Sequence, residues 1–332
     1  MIHAPKNMLV TGSAGFIGSH FVRDELSRDA NLRIVSLDKL TYAGNKNNLL
    51  GLNPDQHVFI QGDIGDEALV LKILQEYTID TIVHFAAESH VDRSIIDPSA
   101  FIQTNIVGTF NLLQYAREKN CRFHHISTDE VYGELKNGDA PFTETHPYQP
   151  NSPYSASKAG SDHLVRAFAH THQLPVTISN CSNNYGPHQH PEKFIPTIIR
   201  ACFSNQKIPI YGDGSNIRDW IFVNDHCEAV SCIIRHGKLN HTYNIGGECE
   251  ISNIDLAKQI CTLMDVRFPE NQPHEKLIRF VTDRLGHDWR YAINNQKIKS
   301  ELGWKPATDL KAGLEKTMAF YEKKYEKLDT VA

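Results

Sequence analysis

The sequence predicts an α/β protein, a doubly wound parallel sheet joined to a smaller, mixed α/β C-terminal domain. Three observations carry that reading. Short apolar strands alternate with helical segments up to Asn180, a glycine-rich turn separates the first strand from the first helix, and the alternation breaks beyond Asn180. Met8–Thr11 is a short apolar strand, followed by the turn and a helix from about Phe16 to Ser27. Leu32–Asp38 and His57–Gln61 read as the next strands, Asp66–Tyr77 as a helix and Asp80–Ala86 as a buried strand. Pro98–Glu118 is expected to form one helix, since a proline at its start costs no hydrogen bond. Arg122–Ser127 is a strand, Pro153–Thr171 a helix and Val176–Asn180 a strand. Asn183–Pro196 and Tyr211–Asp219 are rich in Gly, Pro, Asn and His, and read as binding loops held by a rigid scaffold. Helices return at Asp225–His236, Asn253–Met264 and Leu310–Lys327, and the charged tail after Lys323 is expected to fray. Residues 1–185, with part of 220–245 returning to them, are then the first domain, and 186–332 mainly the second.

Composition narrows the function class. Hydrophobic residues make up 40% and charged residues 22%, the balance of a folded globular protein. A formal net charge of -5 leaves no basic footprint, which argues against a nucleic-acid partner. No apolar run has the length of a bilayer span and Met1–Asn7 lacks a signal-peptide core, so no membrane association and a cytoplasmic location are expected. The seven cysteines form no C-x-x-C pair, and His124, His125, His188 and His190 lack partners at zinc-like spacing. Reduced thiols and no metal follow.

The turn after the first strand reads Gly12-Ser13-Ala14-Gly15-Phe16-Ile17-Gly18, a G-x-x-G-x-x-G pattern. Glycines there allow a tight turn and let backbone N–H groups approach a pyrophosphate at the helix N-terminus, where the dipole is positive. Strand before and helix after give the pattern the context it needs. Asp38 ends the second strand, 20 residues beyond Gly18, where a carboxylate can accept bonds from ribose hydroxyls and repel a 2′-phosphate. The expected domain is therefore of Rossmann type and its cofactor NAD.

Tyr154 and Lys158 form a Y-x-x-x-K pair, on one face of a helix. A lysine ammonium beside a phenol favours phenolate, so the tyrosine can act as a base near neutral pH. Alone, such a pair is a common surface contact; its place downstream of the glycine turn makes it chemical. Gly12 to Gly18, Asp63-Ile64, Ala86-Ala87, Asn105 and Tyr154/Lys158 together resemble the extended short-chain dehydrogenase/reductases. Six longer stretches are similar to the nucleotide-sugar 4,6-dehydratases of that family: Asp38–Asn45, Ala86–Ser94, Ser127–Gly133, Asn180–Pro187, Arg218–Trp220 and Asp283–His287.

The resemblance implies a hydro-lyase that turns dTDP-glucose into its 4-keto-6-deoxy derivative for deoxysugar (for example rhamnose) biosynthesis, with transient reduction of bound NAD. It gives Tyr154, with Lys158 stabilising its phenolate, the C4 hydroxyl proton, Thr128 a bond to the C4 oxygen, Glu130 the C5 proton and Asp129 the proton for the departing C6 hydroxyl. Two adjacent acids in different states suit that division. An isolated Asp-Glu pair is usually a solvated loop; the end of the strand before the Tyr-Lys helix is where open α/β sheets hold their sites. The same resemblance assigns the cofactor to Gly12, Gly15, Phe16, Ile17, Gly18, Asp38, Lys39, Thr41, Asp63, Ile64, Ala86, Ala87, Ser89, Thr104 and Asn184, besides Tyr154 and Lys158. It assigns the sugar nucleotide to Ser89, Thr128, Asn183, Lys193, Lys207, Tyr211, Arg218, Asn253, Arg284 and His287, with arginine forks suited to phosphate oxygens.

The chain departs from that family's pattern at Ser13, where glycine is usual, at Leu285 for proline and Trp289 for arginine, and in a short Glu134–Ala140 segment. Ser13 is tolerable if the backbone there does not need positive φ. The alternatives are a UDP-glucose 4,6-dehydratase, a nucleotide-sugar 4-epimerase or decarboxylase, and, outside enzymes, a dinucleotide-sensing binding protein. An epimerase has no use for Asp129 and Glu130, and a sensor has no use for an intact Tyr154 and Lys158. The resemblance also implies a homodimer, paired through the helices at about Pro98–Glu118 and Pro153–Thr171.

Overall fold

A computed structural model describes residues 3–329, with side chains described as far as Tyr325. The elements run β1 (Asn7–Thr11), α1 (Phe16–Arg28), β2 (Arg33–Asp38), β3 (His57–Gln61), α2 (Glu67–Glu76), β4 (Thr81–His84), α3 (Val91–Ile96), α4 (Ser99–Phe101), α5 (Thr109–Lys119), β5 (Arg122–Thr128) and α6 (Pro153–His172). They continue through β6 (Val176–Cys181), β7 (Asn183–Tyr185), α7 (Phe194–Phe203), β8 (Ile208–Tyr211), β9 (Ile217–Phe222), α8 (Val223–His236), β10 (His241–Ile245), β11 (Glu250–Ser252), α9 (Asn253–Arg267), β12 (Ile278–Val281), α10 (Gln296–Leu302) and α11 (Leu310–Asp329).

Seven strands form one sheet in the order β10-β6-β5-β4-β1-β2-β3, every neighbouring pair parallel. A parallel sheet covered on both faces demands continuous apolar strands, and β1 and β4 comply, with Met8, Leu9, Val10, Ile82 and Val83 at 0% exposure. One apolar layer, including Phe21, Val22, Val230 and Ile233, packs α1 and α8 against one face. The other, including Val70, Leu112, Leu113, Val165 and Phe168, packs α2, α5 and α6 against the opposite face. A third cluster built from α7, α9 and α11 forms the core of the remainder, around the three-stranded sheet β11-β9-β7 and the pair β12-β8.

Local chemistry fixes the helix that carries the Tyr-Lys pair. Ser152 caps α6 and exchanges a reciprocal capping box with Ser155, Pro153 occupies the first turn, and Gln173 closes the helix in the left-handed region.

Three expectations are corrected. Pro98–Glu118 is not one helix: α4 gives way to a π-helical stretch at Ile102–Gly108 before α5. The stretch is held open by Asn105, whose Nδ2 donates to Glu88 O at 3.0 Å and to Ser157 Oγ at 2.8 Å. Asn183–Pro196 and Tyr211–Asp219 are not simply loops, since they contain β7, the start of α7 and the first half of β9. Lastly, α11 runs to Asp329, two residues past the expected Lys327, and the tail beyond it lies outside the described residues.

Candidate functional site

Because all seven strands of the main sheet are parallel, their carboxyl ends share one edge. Gly12 after β1, Asp38 at the end of β2, Ala86 after β4, Thr128 at the end of β5 and Cys181 at the end of β6 all line one cavity of about 570 Å³.

The glycine turn is shaped by close approach. Gly12 has φ +66°, and a Cβ there would lie 2.6 Å from Ala86 N; one on Gly18 would lie 2.3 Å from Gly12 O. Ser13 does not take positive φ and is fully buried, so its departure from glycine is accommodated. Asp38 ties the turn down: its Oδ2 accepts from Ala14 N at 2.9 Å and its Oδ1 from Leu40 N at 2.8 Å. That fixing role is additional to the ribose contact expected of it, and each oxygen keeps acceptor capacity. Lys39 pairs with Asp63 at 2.7 Å on the exposed rim. Phe16, Ile17, Thr41, Ile64, Ala87, Ser89, Thr104 and Asn184 line the same cavity. A turn without Cβ atoms at Gly12, Gly15 and Gly18, opening on a helix N-terminus beside an acidic strand end, fits NAD. Gly12→Ala is expected to abolish NAD retention while the chain stays expressed; extraction and quantification of cofactor from the purified variant checks it.

The acids differ in surroundings. Asp129 and Glu130 sit on the 3-10 turn Asp129–Tyr132 that follows β5. Thr128 Oγ1 donates to Asp129 Oδ1 at 3.3 Å and accepts from Glu130 N at 3.3 Å. Burial, then the charges of Glu130 and Asp219, push the Asp129 carboxyl well above its ordinary value, and its Oδ2 has no partner. Burial also raises Glu130, but Arg284, Arg218 and Lys193 all pull it back toward the carboxylate. Cations thus oppose the upward push chiefly at Glu130, which suits Asp129 to the role of acid and Glu130 to that of base.

Tyr154 is pushed well above the ordinary phenol value by burial, with Glu130 adding to it. The expected direct lowering by Lys158 is not what the structure displays: the lysine Nζ donates to Ile126 O at 2.7 Å. Thr128 does lower the phenol through a side-chain hydrogen bond.

Cations converge from the far wall. Lys193 caps α7 and its Nζ donates to Ser89 O at 3.0 Å. Arg218, the second residue of buried β9, donates to Ile217 O at 2.7 Å and Asp288 O at 2.8 Å, and stacks 4.4 Å over the Tyr291 ring. Arg284 reaches Asp92 at 3.1 Å, Tyr211 donates to the same carboxylate at 3.3 Å, and His287 bonds Asp283 at 2.7 Å. Asn183 and Asn253 complete this wall. Lys207 does not join it: its side chain is exposed and outside the cavity, although Pro209 and Tyr211 of the adjoining β8 are inside. Leu285 and Trp289 also lie outside, so two of the departures from the family pattern do not shape the pocket wall.

Several cavity residues escaped sequence reasoning. Glu192 is surrounded by Arg93 at 3.1 Å, His190 at 3.4 Å and His90 at 3.5 Å, while the Arg93 guanidinium lies 3.7 Å from the Tyr42 ring centre. Arg93 and His90 stood in a matched stretch, and Glu192 is the neighbour of Lys193, so adjacency was the available signal. Tyr291 offered none.

A family model described as GDP-mannose 4,6 dehydratase matches residues 9–317. The dTDP-glucose 4,6-dehydratase of Xanthomonas campestris pv. campestris is 53% identical over 326 residues, covering 94% of this chain and 92% of that one. That of Neisseria gonorrhoeae is 51% identical, covering 95% of each chain. The crystal structure of DesIV, a dTDP-glucose 4,6-dehydratase from Streptomyces venezuelae solved with NAD and dTDP bound, superposes with a TM-score of 0.89 at 43% identity, covering 96% of this chain and 97% of that one.

Proposed function

The chain belongs to the GDP-mannose 4,6 dehydratase family, within the extended short-chain dehydrogenase/reductases, and on that premise we propose that it is an NAD-dependent lyase removing water from dTDP-glucose. The observation that carries the reading is the placement of two adjacent carboxyls, Asp129 and Glu130, beside Tyr154 in a single cavity, with Arg284, Arg218 and Lys193 opposing the effect of burial at Glu130. An epimerase needs neither acid, and a sensing protein needs neither the acids nor the Tyr-Lys helix. Curated relatives that act on dTDP-glucose favour thymidine over uridine.

The Gly12–Gly18 turn and Asp38 would hold NAD, which when bound would supply hydride transfer from the sugar C4 and back at C6. The chain's own residues handle protons and position. Tyr154 Oη receives the proton of the C4 hydroxyl while Thr128 Oγ1 orients that oxygen. Glu130, the ionised member, removes the C5 proton once C4 is a ketone. Asp129, the protonated member, supplies the proton that lets the C6 hydroxyl leave as water. Lys193 and Arg218 hold the diphosphate, Arg284 and His287 the rest of the nucleotide, with Asn183, Asn253 and Tyr211 as hydrogen-bonding partners. Arg218 arrives prepaid in conformational terms, because carbonyls and the Tyr291 ring already fix its guanidinium.

Residues 1–185 with part of 220–245 then serve the cofactor, and 186–332 mainly the sugar nucleotide; β10 lying on β6 supports the return of the later segment. A homodimer through α5 and α6 is supported by Ile102 at 46% and Phe110 at 39% exposure on that side of the fold. All seven cysteines are free, in keeping with a cytoplasmic site of action.

Incubation with NAD and dTDP-glucose, or with NAD and UDP-glucose, is expected to release one water from the thymidine substrate, read by mass spectrometry as the loss of one water from the sugar nucleotide. Absence of that loss with both nucleotides, despite retained NAD, overturns the reading.

A further inference from the structure

A buried ammonium is costly unless a counter-charge lies near it. Lys158 is 4% exposed and its hydrogen-bond partner is a neutral carbonyl, Ile126 O at 2.7 Å. One turn further along α6, on the same helix face, sits a fully buried carboxylate, Asp162. We propose that Asp162 is the positioning residue that holds the Lys158 ammonium in place through the catalytic cycle, a role that rests on the proposed dehydratase site with Tyr154 as its base.

The carboxylate is itself fixed. Tyr148 Oη donates to Asp162 Oδ2 at 2.8 Å, and His125 Nε2 lies 3.2 Å from Oδ1. Arg166 and Asn180 donate to the Tyr148 oxygen at 2.6 Å and 3.0 Å, so the phenol's proton is committed to Asp162. The His125 ring also bonds Ser161 Oγ at 3.1 Å.

The charges around Lys158 leave this acid as its support. Burial lowers the ammonium's pKa, and Asp162 is the leading opposing influence, followed by the Cys181 thiol of β6. His84 of β4 and His125 of β5 face the same space, and burial keeps both neutral. Arg166, further along α6, is the remaining cation near this group and is bonded to Tyr148. Asp162 stays ionised, its carboxyl pulled down by His125, Lys158 and Ser127 against the cost of burial.

Removing a negative charge lowers the pKa of every titrating neighbour, ammonium and phenol alike. Asp162→Asn is therefore expected to slide both limbs of the kcat against pH profile downward, by about one pH unit. A purely structural lesion lowers the plateau and leaves the limbs in place. Asp162→Glu should restore their positions. Tyr148→Phe covers the case in which the asparagine variant does not fold: it changes no charge, strips a donor from Asp162 and strengthens its field, so the limbs should move upward by a smaller step. Unmoved limbs in folded Asp162→Asn, or in Tyr148→Phe, overturn the proposal. A wild-type enzyme without dehydratase activity would instead sink the reading of the site, so the two failures are distinguishable.

Discussion

Glu130→Gln is expected to lower water loss from dTDP-glucose by about 10²–10⁴-fold while leaving NAD and nucleotide binding nearly unchanged. The amide keeps the shape of the side chain and its place on the Asp129–Tyr132 turn, but it cannot take a proton. Arg284, Arg218 and Lys193 all act on this acid against the upward push of its burial. The amide also removes an anion from among those cations, so diphosphate binding should tighten if it moves at all. Hydrogen exchange at the sugar C5 gives the specific readout. In deuterated water the wild type should place solvent deuterium at C5, and the variant should not. Exchange at the wild-type rate in Glu130→Gln would assign the base elsewhere, with Tyr154 the first alternative.

The parts legible in the sequence were those governed by local chemistry. The glycine turn was visible because only glycine allows Gly12 its φ of +66° and its contact with Ala86. The Tyr-Lys helix was visible because Ser152 and Pro153 begin it where the pattern placed it. What stayed hidden was set by tertiary contacts. The start of β9 read as loop because it falls in the Gly- and Asn-containing stretch Tyr211–Asp219, yet Arg218 and Asp219 are buried, at 5% and 1% exposure, by the work they do in the site and beneath it. Asp219 accepts from Gly247 N and Cys249 N, which shapes the turn after β10. α7 was overlooked because Pro196 stands in its first turn, a position where the missing N–H costs little. The π-helical break at Ile102–Gly108 depends on Asn105 bonding Glu88 and Ser157, 17 and 52 residues away. Gly108 belongs to the same device, since a Cβ there would lie 2.5 Å from Ile64 Cδ1. Lys207 shows the reverse error: a cation carried over by resemblance alone, which the fold turns out to solvent.

Asp129→Asn is expected to separate the two proton transfers and to stabilise the protein as it inactivates it. An amide cannot supply the proton for the departing C6 hydroxyl, so water loss should fall by about 10²–10⁴-fold, whereas C5 exchange should persist because Glu130 is intact. The stability gain follows from the state of the carboxyl. Burial, Glu130 and Asp219 raise its folded value well above the ordinary one. A raised carboxyl contributes stability that is fully present below the unfolded value of about 3.9 and is lost as pH rises toward the folded value. Within that window the wild type should lose about 1.4 kcal/mol per pH unit from this group, and the asparagine variant should lose none of it. The difference in Tm between variant and wild type should therefore widen as pH is raised from the unfolded value through the folded one, then level off. A difference that stays flat across that range would mean that Asp129 is ionised in the folded protein. It could not then be the acid, and the division of labour between the two carboxyls would have to be reversed, which the C5 exchange of the same variant would reveal by its loss.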